Sequence, residues 1–139
     1  MRLTRSVLLS VALAAACADP GADAPGETLA RFIDLMDRGG TGALQEAYGL
    51  LERAAQGELR RRARKAETLS GRSYAPWEML AKGRFRLRFA PEAGAMHVRF
   101  QGDQRAFVTV VGDGQRVEVP LVSQGGRWRV VLALPQEQP

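Results

Sequence analysis

Residues 96–134 read MHVRFQGDQRAFVTVVGDGQRVEVPLVSQGGRWRVVLAL, and they decide the fold. Met96, Val98 and Phe100 alternate with His97 and Arg99. Val117, Val119 and Leu121 alternate with Arg116 and Glu118, and Trp128, Val130, Leu132 and Leu134 close the series. A period of two marks strands with one buried face. Residues 105–111 are apolar on both faces, as a central strand is. The connections are Gly102-Asp103-Gln104, Gly112-Asp113-Gly114 and Gln124-Gly125-Gly126. Links this short and this rich in glycine join antiparallel neighbours. Just upstream, Phe85, Leu87 and Phe89 alternate with Arg84, Arg86 and Arg88, which predicts one more strand and a sheet of about five.

Before the strands the period is helical. Leu29, Phe32, Ile33 and Met36 form one apolar face of a short helix, stopped by Gly39-Gly40. Thr41 is the expected N-cap of the next helix, whose stripe runs through Leu44, Tyr48, Leu51, Ala55, Leu59, Ala63 and Ala66. Gly49 and Gly57 predict a kink or break near residues 53–57. A further helical turn is expected around Trp77 to Ala81. Helices first and strands afterwards mean α+β, with two or three helices packed on one face of a curved antiparallel sheet.

The first sixteen residues are of another kind. Arg2 and Arg5 precede a short apolar run, residues 7–13, and then Ala14-Ala15-Ala16. This is the pattern of an export signal, too short to span a bilayer as a helix. Cys17 follows directly and is the single cysteine of the chain. A lone thiol in an oxidising compartment has no partner for a disulfide within the chain. The arrangement resembles the lipobox of bacterial lipoproteins, with Leu13 one place earlier than the usual leucine. The resemblance implies that Cys17 is acylated several times, becomes the first mature residue and holds the protein to a membrane of the bacterial cell envelope, with the domain in the periplasm or outside the cell. Residues 17–27 then read as acylated cysteine and flexible tether, 28–135 as one domain and 136–139 as a tail.

The domain also resembles the nuclear transport factor 2-like superfamily, the cystatin-like α+β cone. The residues that carry this are the "Tyr-x-Leu-Leu" helix at Tyr48-Gly49-Leu50-Leu51 and the closing strand Gly126-Arg127-Trp128-Arg129-Val130. Many small bacterial lipoproteins are similar. The superfamily holds both enzymes and non-catalytic binding modules, so the fold alone does not choose between them.

The chemistry-bearing residues point to a binding module. A cone-type enzyme, an isomerase, dehydratase or hydrolase, would work in a pocket between helices and sheet with an inward acid–base group. The inward strand positions are apolar from Phe85 to Leu132, and His97, the single histidine, is out of phase with them. Asp34 and Asp37 flank the apolar stripe of the first helix and read as solvated carboxylates. Tyr48, Tyr74, Trp77, Phe89, Met96 and Trp128 are the candidates to line such a pocket. One histidine and one cysteine do not make a closed zinc site, and there is no phosphate-binding glycine loop, so the sequence calls for no metal and no cofactor.

The net charge is +5. The export segment removes two cations and residues 18–27 hold three anions, so the domain is more basic still. The basic run Arg60-Arg61-Arg62-Ala63-Arg64-Lys65 carries no interleaved aromatics, which argues against nucleic acid. Arg84, Arg86 and Arg88 should share one sheet face with His97, Arg99, Arg116, Arg127 and Arg129. Like charges directly opposite are unfavourable. Glu118 is one group that offsets them, and an anionic partner is another. Arg84, Arg86, Arg88 and Arg99 are therefore the candidate contacts for anionic lipid or an acidic envelope protein. The oligomeric state is left open, a dimer included.

Overall fold

The computed structural model describes residues 24–81, 91 and 96–134. Helix α1 spans Pro25–Arg38, α2 Gly40–Gly49, α3 Arg53–Ser70 and α4 Glu78–Ala81. Strands β1 Met96–Gln101, β2 Arg105–Gly112, β3 Gln115–Gln124 and β4 Arg127–Val130 follow. The strands pair in sequence order as an antiparallel open sheet, four-stranded among the described residues. The expected strand over residues 84–89 lies outside the described residues.

The two-residue links have the backbone that glycine permits. Asp113 and Gly114 both have positive φ, 50° and 70°, as do Gly125 and Gly126 at 63° and 73°. This left-handed pair matches the twist of the flanking strands and closes a tight hairpin. Pairing puts Val98, Val108 and Val119 in one row and Phe100, Ala106, Leu121 and Val130 in the next. That face meets α1, which packs on β1, β2 and β4. Leu29, Phe32, Ile33 and Leu35 bury against it, with Ala47, Leu51, Ala55, Leu59 and Leu80 from the other helices.

Several expectations need correction. Pro25 occupies the first turn of α1, where its missing N–H costs nothing, so the folded part begins before residue 28. The α2 N-cap is Gly39, and Thr41 lies within the helix. The break in the second helix falls at 50–52 rather than 53–57. There Leu51 makes a parallel bridge to Val130, and a sheet pairing displaces helical geometry.

β4 ends at Val130, short of the alternation through Leu134. The cause is Pro120, opposite Val131 in register. Its carbonyl accepts from the Val131 N–H at 3.0 Å, but proline has no N–H to return the second bond of the pair. Leu132 and Leu134 pack against the core without strand geometry.

Val98, Phe100 and Val117 face the helices yet are 39 %, 60 % and 38 % exposed. Their row neighbours on β2, Val108, Ala106 and Val110, are fully buried. Among the described residues the exposed side chains lie on β1 and on the part of β3 that β4 does not reach, beyond the middle of the sheet that the helices cover.

Candidate functional site

Tyr48 is a clamp between α2 and α3. Its hydroxyl donates to the Gln56 carbonyl at 3.3 Å and accepts from Arg60 Nη1 at 2.9 Å. Gln56 Nε2 returns a bond to the Tyr48 carbonyl at 3.0 Å. Tyr74 and Trp77 sit on the link from α3 into α4. The Arg72 guanidinium lies 4.9 Å from the centre of the Tyr74 ring. Glu78 accepts from the Ala75 N–H at 2.6 Å and from Arg72 at 3.3 Å, folding this link into a compact turn.

Met96 and Trp128 share the helix-facing side of the sheet but lie at opposite ends, Met96 opposite Val110 and Trp128 opposite Ser123. Trp128 meets Phe100 instead, ring centres 5.9 Å apart and tilted by 58°. Their strands are separated by two others, about 14 Å of backbone. The rings close that gap because each faces a small residue, Ala106 or Ser123, on the neighbouring strand. The candidate pocket residues are thus spread over the helical layer and both ends of the sheet. Phe89 and Cys17 lie outside the described residues.

A groove that sequence reasoning missed runs between the start of α3 and the chain leaving β4. It holds about 350 Å³ and is lined by Glu52, Ala54, Ala55, Gly57, Glu58, Arg61 and residues 131–134. The small side chains of α3 leave the room. Their spacing was visible in the sequence, but their opposite wall comes from the end of β4. Burial pushes the Glu52 carboxyl above its ordinary pKa. Burial pulls Glu58 the same way, but hydrogen bonds from Arg62 and Arg61, with their charges, outweigh it and hold Glu58 below the usual value. Glu58 accepts from Arg61 at 2.7 Å and from Arg62 at 2.9 Å. Two carboxyls of opposite tendency therefore border one groove.

The far face of the sheet carries His97, Arg99, Arg105, Arg116, Arg127 and Arg129. The register sets no two cations directly opposite. Arg99 faces Phe107, Arg116 faces Val111, and Arg127 faces Gln124. Arg99 pairs with Glu118 at 3.2 Å and lies 4.5 Å from the centre of the Phe107 ring. Glu118 thus offsets part of the charge, as expected. Arg129 donates to the Gly49 carbonyl. Its pKa is lowered by burial, then by the charges of Arg127 and Arg53. Arg84, Arg86 and Arg88 lie outside the described residues.

His97 is exposed on β1, and Asp34 pairs with Arg38 on the surface of α1. Among the described residues no group of three metal-ligating side chains is gathered, and no helix is long and apolar enough to cross a membrane. Comparison with known protein families, with curated proteins and with solved structures found no match.

Proposed function

We propose that the chain is a bacterial envelope lipoprotein, held to its membrane by acyl chains on Cys17, whose α+β domain is a non-catalytic binding module. The domain sits in the periplasm or outside the cell. Its finer geometry follows the nuclear transport factor 2-like pattern, with a fifth strand over residues 84–89 and a cone-like curl of the sheet around the helices. The observation that carries the binding-module reading is the filled interior. Leu29, Phe32, Leu51, Leu59, Val108 and Leu121 occupy the space between helices and sheet, each at most 1 % exposed. A substrate pocket of the cone type would need that volume. Ligands then meet the outside of the domain, where Phe100 is 60 % exposed. The arginine-bearing face, Arg99 included, suits an anionic lipid or an acidic envelope protein, and Arg84, Arg86 and Arg88 extend it in this reading.

The test is metabolic labelling of producing cells with radioactive palmitate. Label should enter the wild-type chain and be lost with Cys17→Ala. An unlabelled wild-type chain counts against the anchor.

One observation favours a second reading, a small isomerase, dehydratase or hydrolase. Glu52, with its carboxyl raised by burial, borders the α3 groove, and a raised carboxyl suits a general acid. That reading places chemistry at the groove rather than in the helix–sheet interior.

A further inference from the structure

We infer that the aromatic edge formed by Val98, Phe100 and Trp128 rests on the lipid bilayer to which the chain is anchored. The inference depends on the acylation of Cys17 and adds which side of the domain faces the membrane.

Three features converge on this edge. The helix-facing row of β1 becomes more exposed along its length, from half-buried Met96 through Val98 at 39 % to Phe100 at 60 %. Trp128 extends the row sideways, its ring 5.9 Å from that of Phe100. The chain also enters the domain here. A Cβ placed on Gly26, in the first turn of α1, would stand 3.3 Å from a Val98 methyl.

The anchor cannot be far from that entry. From Cys17 to Pro25 a fully extended chain spans at most about 29 Å. A domain of this size has a radius of gyration of about 13 Å. The side around Gly26 and Val98 is therefore within the tether's reach of the bilayer, and the pole opposite it is the part of the domain hardest to bring there.

The chemistry of the edge suits the membrane–water boundary. Phe100 and Val98 are apolar, and Trp128 belongs to the residue type favoured at headgroup level. The occupant is not a second copy of the chain, because two or three side chains fall well short of the roughly 1,000 Å² that a stable interface buries. So small a patch also binds a bilayer poorly from solution. Anchoring changes this by raising the local concentration of lipid around the patch.

The test uses the full-length acylated chain in vesicles of phosphatidylethanolamine and phosphatidylglycerol. A photoreactive benzoylphenylalanine replaces Phe100 in one preparation and Leu69 in another. Leu69, near the end of α3, is 79 % exposed and serves as the control for exposure alone. Irradiation should give phospholipid adducts at position 100 and none at position 69. Equal adducts at both positions, or none at position 100 in a chain shown by mass to be acylated, overturn the inference while leaving the anchor intact. A chain that carries no acyl group overturns both. Because position 100 is largely exposed, the substitution leaves the core untouched, and far-ultraviolet circular dichroism confirms folding before irradiation.

Discussion

Leu51 and Val130 lie side by side in a parallel bridge that sews the link between α2 and α3 to the edge of the sheet. The Val130 N–H donates to the Leu50 carbonyl at 2.8 Å, and the Val130 carbonyl accepts from the Glu52 N–H at 3.0 Å. The outer edge of β4 is thereby paired over its last residue, and an edge covered in this way is a poor template for aggregation. The Leu51 side chain is 1 % exposed among helices and sheet. Leu51→Ala should cost about 3 kcal/mol by chemical denaturation. Leu69→Ala, at an exposed site, should stay within about 0.5 kcal/mol of wild type. Similar losses for both would contradict the assignment of Leu51 to the core.

The Trp128–Phe100 contact should be visible as energetic coupling. Trp128→Ala should destabilise by about 2–4 kcal/mol, on the low side for tryptophan because the side chain is only half-buried. In a double-mutant cycle with Phe100→Ala, the pair should show about 0.5–1.5 kcal/mol of coupling. Effects that add to within about 0.3 kcal/mol would mean the rings do not meet in solution.

The two carboxyls at the α3 groove should respond to pH in opposite senses. Glu52 is raised, so its native state holds a proton more readily than the unfolded chain does. Its contribution is full below the unfolded value of about 4.5 and is lost as pH rises through the folded value. Glu52→Gln should therefore raise the unfolding midpoint at neutral pH, with the difference closing toward pH 4. Glu58 is lowered, so its contribution is present above the unfolded value and is lost as pH falls through the folded one. Glu58→Gln should lower the midpoint at neutral pH, and that deficit should shrink below about pH 4. Unfolding midpoints followed from neutral to acid pH decide the matter; parallel trends for the two variants would contradict the opposed environments.

Tyr48→Phe removes the hydroxyl bonded by Gln56 and Arg60 and keeps the ring. The loss should be about 1 kcal/mol, the net worth of an ordinary hydrogen bond. Thermal unfolding checks it. An unchanged midpoint would show that the hydroxyl does not join α2 to α3.

The hairpins were legible in the sequence because Asp113-Gly114 and Gly125-Gly126 need positive φ, a local demand that local residues reveal. The break between α2 and α3 was misplaced because its position follows from Leu51 pairing with Val130, a contact distant in sequence. The end of β4 was written in Pro120, but the effect of that proline depends on which neighbour its missing donor faces. Alternation along β1 identified the face of Val98 and Phe100 correctly. It could not say how far toward β1 the helices would reach, and the two residues stay exposed. The groove was hidden for a related reason, since Ala54, Ala55 and Gly57 read as ordinary helix until residues 131–134 turn out to lie beside them.

Fractionation of cells making the full chain tests the proposed lipid anchor on Cys17 most directly. If Cys17 carries the proposed acyl chains, wild type should stay with the membranes through a high-salt wash, and Cys17→Ser, once its export segment is removed, should move to the soluble fraction, because it would have lost its apolar attachment. A Cys17→Ser protein shown by mass to have lost its export segment, yet remaining with the membranes after the wash, would contradict the anchor.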